Sequence, residues 1–127
     1  MIILLIAVIL LFIIVFLVKL PSMYVEEEFT YNYSARTTQY GDHNYHFYIR
    51  LVNNGYRCYI DYVPSFRGRD TSNYMPHYLE EEYTNKRYIC WTGSITYPEQ
   101  AKTLCRNWAD ATQKFIDTGI PAKGFER

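Results

Sequence analysis

The chain has 127 residues with 13 basic and 13 acidic side chains, no net charge, 49% hydrophobic and 18% aromatic residues, and three cysteines. That length holds one domain, and the balanced charge leaves no basic field to grip nucleic acid, so no nucleic-acid partner is expected. The sequence has no glycine-rich phosphate loop, nucleophile elbow or internal repeat, and no cofactor is expected.

Ile2 to Val18 is unbroken apolar sequence, followed by Lys19, Leu20 and Pro21. A run of this kind sits at the lower end of the roughly 17–25 residues that cross a hydrocarbon core as a helix, and predicts a single-pass membrane span over residues 1–20. Nothing basic precedes it and no small-residue cleavage site follows, so the reading is an uncleaved signal-anchor. Lys19 and Arg36 on the C-terminal side lean weakly towards a cytoplasmic domain, which leaves the sidedness open. An Asn32-Tyr33-Ser34 sequon matters only if that side is lumenal.

Residues 21–45 read as either a juxtamembrane linker or an edge strand. Val25, Glu27, Phe29 and Tyr31 alternate with Glu26, Glu28 and Thr30, and the acidic charge would discourage open-edge pairing. The remainder, 46–127, is expected to form a small α+β domain. His46 to Pro64 predicts a hairpin, with Asn54-Gly55 as a two-residue turn. That turn sets Leu51 opposite Cys58, Ile49 opposite Ile60 and Phe47 opposite Tyr62 on one apolar face, with Arg50 and Asp61 as a diagonal charge pair on the other.

Pro64 to Asn85 reads as a long excursion, with turn chemistry at Ser65 to Asp70 and one or two helical turns over Pro76 to Tyr83. Arg87 to Trp91 predicts a third strand. The strongest helix signal follows: Thr96 as N-cap with Glu99 three residues on, Pro98 in the first turn and Gly119 as the C-terminal cap. Ala101, Leu104, Cys105, Trp108, Ala111, Thr112, Phe115 and Ile116 share one apolar face, while Lys102, Arg106, Asp110 and Lys114 form a polar stripe with an Asp110–Lys114 pair. The sum is an antiparallel sheet of three or four strands covered by one C-terminal amphipathic helix.

Cys58 and Cys105 fall on apolar faces and read as small hydrophobes, although a disulfide between them is conceivable in an oxidising compartment. No metal site is expected: there is no C-x-x-C pair, His43 and His46 stand three apart, and His77 is alone. Cys90 lies at a strand exit before Trp91-Thr92-Gly93, where a thiol can be presented for nucleophilic attack. Tyr56 to Pro64, Pro76-His77 and Ile89-Cys90, followed by a C-terminal helix, resemble the layout of the ubiquitin-conjugating-enzyme fold. That resemblance implies a thiol enzyme using Cys90 with His77. Met75-Pro76-His77-Tyr78 departs from the family's His-Pro-Asn triplet and lacks the oxyanion-supporting Asn.

All 14 tyrosines follow the apolar segment. Tyrosine offers broad contact area with few rotors and a hydroxyl, and is enriched where proteins recognise proteins. Tyr31, Tyr33, Tyr40, Tyr74, Tyr78 and Tyr83, with Phe66, Arg67 and Arg69, therefore form the expected interaction surface. The functional expectation is a membrane-anchored, non-catalytic module that binds a protein partner or subunits of a membrane complex. The alternative is the thiol enzyme.

Overall fold

The computed structural model describes residues 1–19, 27–53, 55–70, 78–91 and 93–121. Two helices and five strands occur in the order α1 (Ile2–Lys19), β1 (Glu28–Ser34), β2 (Asn44–Val52), β3 (Gly55–Tyr62), β4 (Tyr78–Glu80), β5 (Arg87–Ile89) and α2 (Pro98–Thr118). The fold is α+β, with a five-stranded antiparallel sheet in the spatial order β1-β2-β3-β5-β4.

Helix α1 is apolar on every side, and all its large side chains lie exposed, Phe12 at 74% and Phe16 at 69%. Its 18 residues span about 27 Å at 1.5 Å per residue. Among the described residues no helix is long and apolar enough to cross a membrane. The span expected over residues 1–20 is thus reduced here to an exposed apolar helix that falls a few Å short of a hydrocarbon core of about 30 Å.

Within the segment expected as linker or edge strand, Glu28–Ser34 forms the edge strand β1, and residues 21–26 lie outside the described residues. Phe29, Tyr31 and Tyr33 of β1 point inward and pack on the core, while Glu28, Thr30 and Asn32 face outward. The hairpin β2–β3 forms, but two residues out of the expected register. Val52 pairs with Gly55, Leu51 with Tyr56, Ile49 with Cys58 and Phe47 with Ile60. The cause is Asn53, which takes the left-handed conformation at φ 55° and starts the turn one residue early.

A bulge between His46 and Phe47 then lets β3 carry one extra residue, Asp61, and turns Tyr62 outward to 43% exposure. Arg50 consequently faces Arg57, and Asp61 is too far along the strand to be its diagonal partner. Even numbers of residues separate the expected and observed registers, so Phe47, Ile49, Leu51, Cys58 and Ile60 keep the inner face.

Helical turns were expected over residues 76–83. Tyr78–Glu80 instead forms strand β4, and Glu81–Lys86 turns the chain back into β5, with Asn85 left-handed at φ 54°. Strand β4 thus joins as a fifth strand, against the three or four expected, beside β5, which is shorter than expected and ends at Ile89.

Helix α2 starts one residue later than the Thr96 cap predicts. Tyr97 is the N-cap, Pro98 opens the first turn, and Gln100 Oε1 accepts the Thr96 and Tyr97 N–H groups at 3.2 and 3.3 Å. The C-terminus follows expectation: Gly119 adopts φ 72° and its N–H returns to the Phe115 carbonyl at 2.8 Å. Trp108 fills the centre of the core, edge-on to the rings of Tyr45 and Phe47 at 6.1 Å each.

One line along α2 organises the whole interface. Ala101, Cys105, Ala109, Gln113 and Asp117 recur every four residues and are all buried. The small residues of the first half let α2 approach the sheet, while in the second half Gln113 accepts from Tyr45 of β2 and Asp117 from Thr37 and Thr38 of the β1–β2 loop. Of the predicted stripe beside this line, Lys102, Arg106 and Asp110 are half-buried and Lys114 is exposed. Arg106 donates to Tyr31 Oη at 3.1 Å, and Asp110 accepts from Tyr33 Oη at 2.9 Å and from the Arg36 N–H at 3.1 Å. Asp110 therefore clamps β1 rather than pairing with Lys114.

Candidate functional site

Among the described residues, the hydroxyls of Tyr31, Tyr33, Tyr45, Tyr48, Tyr59 and Tyr62 are engaged within the domain. Tyr45, fully buried, donates to Gln113 Oε1 at 2.9 Å, and Tyr59 donates to Glu81 at 2.6 Å. Tyr48 pairs with Glu28, and Tyr62 with Asp42. The hydrogen bond to Glu28 holds the Tyr48 hydroxyl above the ordinary phenol range, and the one to Asp42 does the same for Tyr62. Asp42 and Glu81 are held low in return, chiefly by Tyr62 and Tyr59 respectively. Burial, then the hydrogen bond to a carboxylate, raises Tyr33 and Tyr59.

The expected binding residues do not form one patch. Phe66 is half-buried against Phe115, ring centroids 6.1 Å apart. Arg67 donates to the Tyr40 carbonyl at 3.1 Å and pairs with Asp117 at 3.8 Å. Arg69 donates to the Ile116 and Asp117 carbonyls, both at 3.1 Å, so its charge caps the negative end of α2. These three side chains fasten their loop to the end of α2.

Tyr78 lies far from them on β4, where Arg87 sits 5.3 Å from its ring centroid, and Tyr83 stands 92% exposed in the β4–β5 turn. Tyr31 and Tyr33 face the core from β1, and Tyr40 is fully exposed. Tyr74 and His77 lie outside the described residues. Cys90 is a half-buried free thiol, and among the described residues it makes no hydrogen bond or ion pair. The described geometry therefore adds no argument for thiol catalysis through Cys90 and His77. Among the described residues no group of three or more His, Cys, Asp or Glu is arranged to hold a metal ion.

A different site is built where β5 ends. Past Ile89 the chain runs on beside the start of β3, and the Ile95 carbonyl accepts the Tyr56 N–H at 2.8 Å. This arrangement leaves a cavity of about 480 Å³ walled by Arg57, Leu79, Tyr88, Trp91, Ile95 and Leu104. A second cavity of about 370 Å³ adjoins it, sharing Trp91, Ser94, Ile95 and Leu104 and reaching Glu99 and Asn107 on α2. Both sizes fall within the range of ligand sites.

The groove is apolar along Trp91, Ile95 and Leu104 and carries a cation at one end. Arg57 stacks 4.3 Å from the Tyr88 ring centroid and pairs with Glu81 at 3.4 Å. An aromatic floor with one oriented guanidinium suits an apolar side chain flanked by a polar group. Trp91 had stood out in the sequence only as the neighbour of Cys90. Its signal was a large aromatic two residues before Gly93-Ser94, at the end of the expected third strand.

No protein family, curated protein or solved structure matches the chain. The resemblance to ubiquitin-conjugating enzymes thus finds no support from outside the sequence.

Proposed function

We propose that this protein is a membrane-anchored recognition module, with α1 inserted in a bilayer and the α+β domain binding a protein partner through the groove at Trp91. The observation that carries the reading is α1 itself. It is apolar all round, exposed along its length, and absent from the element pairs that pack together in the domain. A helix of that composition demands an apolar surrounding, and exposed apolar surface of this size marks a membrane or protein contact. The shortfall of a few Å against the hydrocarbon core is met by local bilayer thinning, at a fraction of a kcal/mol per Å.

The test is alkaline extraction of membranes from cells making the full chain, beside the Leu10→Lys variant. The native chain stays in the membrane pellet, and the lysine, costing roughly 2.5–3.5 kcal/mol at mid-bilayer, shifts the variant to the soluble fraction. Extraction of both chains alike overturns the anchor. For the groove, a photoreactive residue at exposed Leu79 yields a discrete protein adduct in those membranes, whereas one at exposed Lys114 does not. Equal labelling from both positions overturns the groove as the contact.

A further inference from the structure

The small-residue line of α2 brings two sulfurs together. Ala101, Cys105 and Ala109 are fully buried, and β3 is the strand that α2 packs against most extensively, their Cα atoms coming within 8 Å of one another. From β3, Cys58 reaches into this seam and donates its thiol to the Ala101 carbonyl at 3.7 Å. In an α-helix that carbonyl is the acceptor for the N–H of residue 105, so Cys58 lies one helical turn from the base of Cys105 on the same face. Helix side chains tilt towards the N-terminal turn, so the buried Cys105 side chain leans back to the turn that Cys58 contacts. Cys90 lies just past the end of β5 and is half-buried.

We propose that Cys58 and Cys105 form a disulfide that staples α2 to β3 when the domain folds in the presence of a low-molecular-weight disulfide oxidant. One thiolate attacks the oxidant and releases one equivalent of its thiol. The second thiolate then attacks the mixed disulfide, forming the Cys58–Cys105 bond and releasing the other equivalent. Two protein thiols are oxidised, one oxidant disulfide is reduced to two thiols, and the two protons that the cysteines give up end on the two thiolates released. Once the core has closed, burial and the Cys58 contact push the Cys105 thiol well above its ordinary range, so exchange proceeds during folding rather than in the packed domain. The crosslink closes a loop of about fifty residues, a length at which a native disulfide restrains the unfolded chain strongly. Its presence depends on the oxidising power of the compartment in which the domain folds.

The test takes the full chain in detergent, unfolded in urea and refolded in mixtures of reduced and oxidised glutathione, then quenched with iodoacetamide. Non-reducing digestion and mass spectrometry read the pairing. The expected result is a linked pair of peptides carrying Cys58 and Cys105, with Cys90 alkylated or glutathionylated. Thermal unfolding of the oxidised chain should fall on the order of 10 °C above that of the same chain after reduction, with no substitution needed. Recovery of Cys58 and Cys105 as alkylated thiols at every ratio overturns the proposal, as does a link from either to Cys90. A linked form that melts no higher than the reduced one overturns the role as a staple.

Discussion

Replacing Asp117 by Ala should be among the most damaging single substitutions in the domain. Its side chain is only 3% exposed, and accepts Thr37 Oγ1 at 2.8 Å, the Thr38 N–H at 3.1 Å and Gln113 Nε2 at 3.1 Å, with Arg67 at 3.8 Å. Truncation strands the Gln113 amide, itself fully buried, while Thr38 is exposed and its N–H can turn to water. One such donor at about 1–3 kcal/mol gives a loss of about 2 kcal/mol. The Arg67 pair, with a side chain 32% exposed, adds little. In urea unfolding of the full chain in detergent, followed by the fluorescence of buried Trp108, the midpoint should fall by about 1 M. Lys114→Ala, on the exposed side of the same helix, should stay within about 0.5 kcal/mol.

The pH dependence follows from the same contacts. Burial opposes the Asp117 charge, but the hydrogen bonds from Thr37, Thr38 and Gln113 and the Arg67 charge outweigh it and hold the carboxyl below the ordinary range. A carboxyl with a depressed folded value contributes stability that is fully present above its unfolded value of about 3.9. That contribution is lost as the pH falls through the folded value. Asp117→Asn should therefore be less stable than the native chain at neutral pH, with the difference shrinking below about pH 4. A loss under about 0.5 kcal/mol for Asp117→Ala, or a native–Asn difference that grows on acidification, would refute the role assigned to this carboxylate.

Trp108→Ala should cost about 3–5 kcal/mol, because the indole fills the space between Tyr45 and Phe47 and its removal leaves a cavity, measured by urea unfolding followed by circular dichroism. Gly119→Ala should cost about 1 kcal/mol or more, since the residue sits at φ 72° and the added methyl would meet Arg69 Nη1 at 2.9 Å. Tyr59→Phe should cost only about 1 kcal/mol, because the Glu81 carboxylate it releases is 31% exposed and can be rehydrated. Thermal unfolding ranks the last two.

What could be read from the sequence was whatever rests on periodicity and caps. The β2–β3 hairpin, the extent of α2 and its Gly119 cap follow from alternation, three-and-four spacing and a left-handed glycine. The register escaped because Asn53 competes with Asn54-Gly55 for the turn and only the bulge at Asp61 decides which side Tyr62 takes. Strand β4 escaped because Tyr-Leu-Glu-Glu-Glu carries good helix formers, and its pairing with β5 overrides that local preference.

The polar half of the α2 line was hidden for a different reason. Gln113 and Asp117 look like solvent-facing positions until their four-residue spacing from Ala101, Cys105 and Ala109 is followed. Their burial is possible only because Tyr45 and Thr37 arrive from distant segments to satisfy them. The groove at Trp91 depends on where β5 stops, which no local pattern encodes. Phe66, Arg67 and Arg69 carry the composition of a binding loop, yet their contacts are with α2.

The central claim is that α1 lies inside a bilayer, and fluorescence quenching tests it most directly. Phe12→Trp, at the middle of α1, would be introduced into the full chain, reconstituted in vesicles with lipids brominated at mid-chain, and compared with the native chain whose Trp91 and Trp108 belong to the domain. The account predicts strong additional quenching of the variant by the deeply brominated lipid. Emission from the new tryptophan that is indifferent to bromine depth, or quenched only by aqueous iodide, would contradict it.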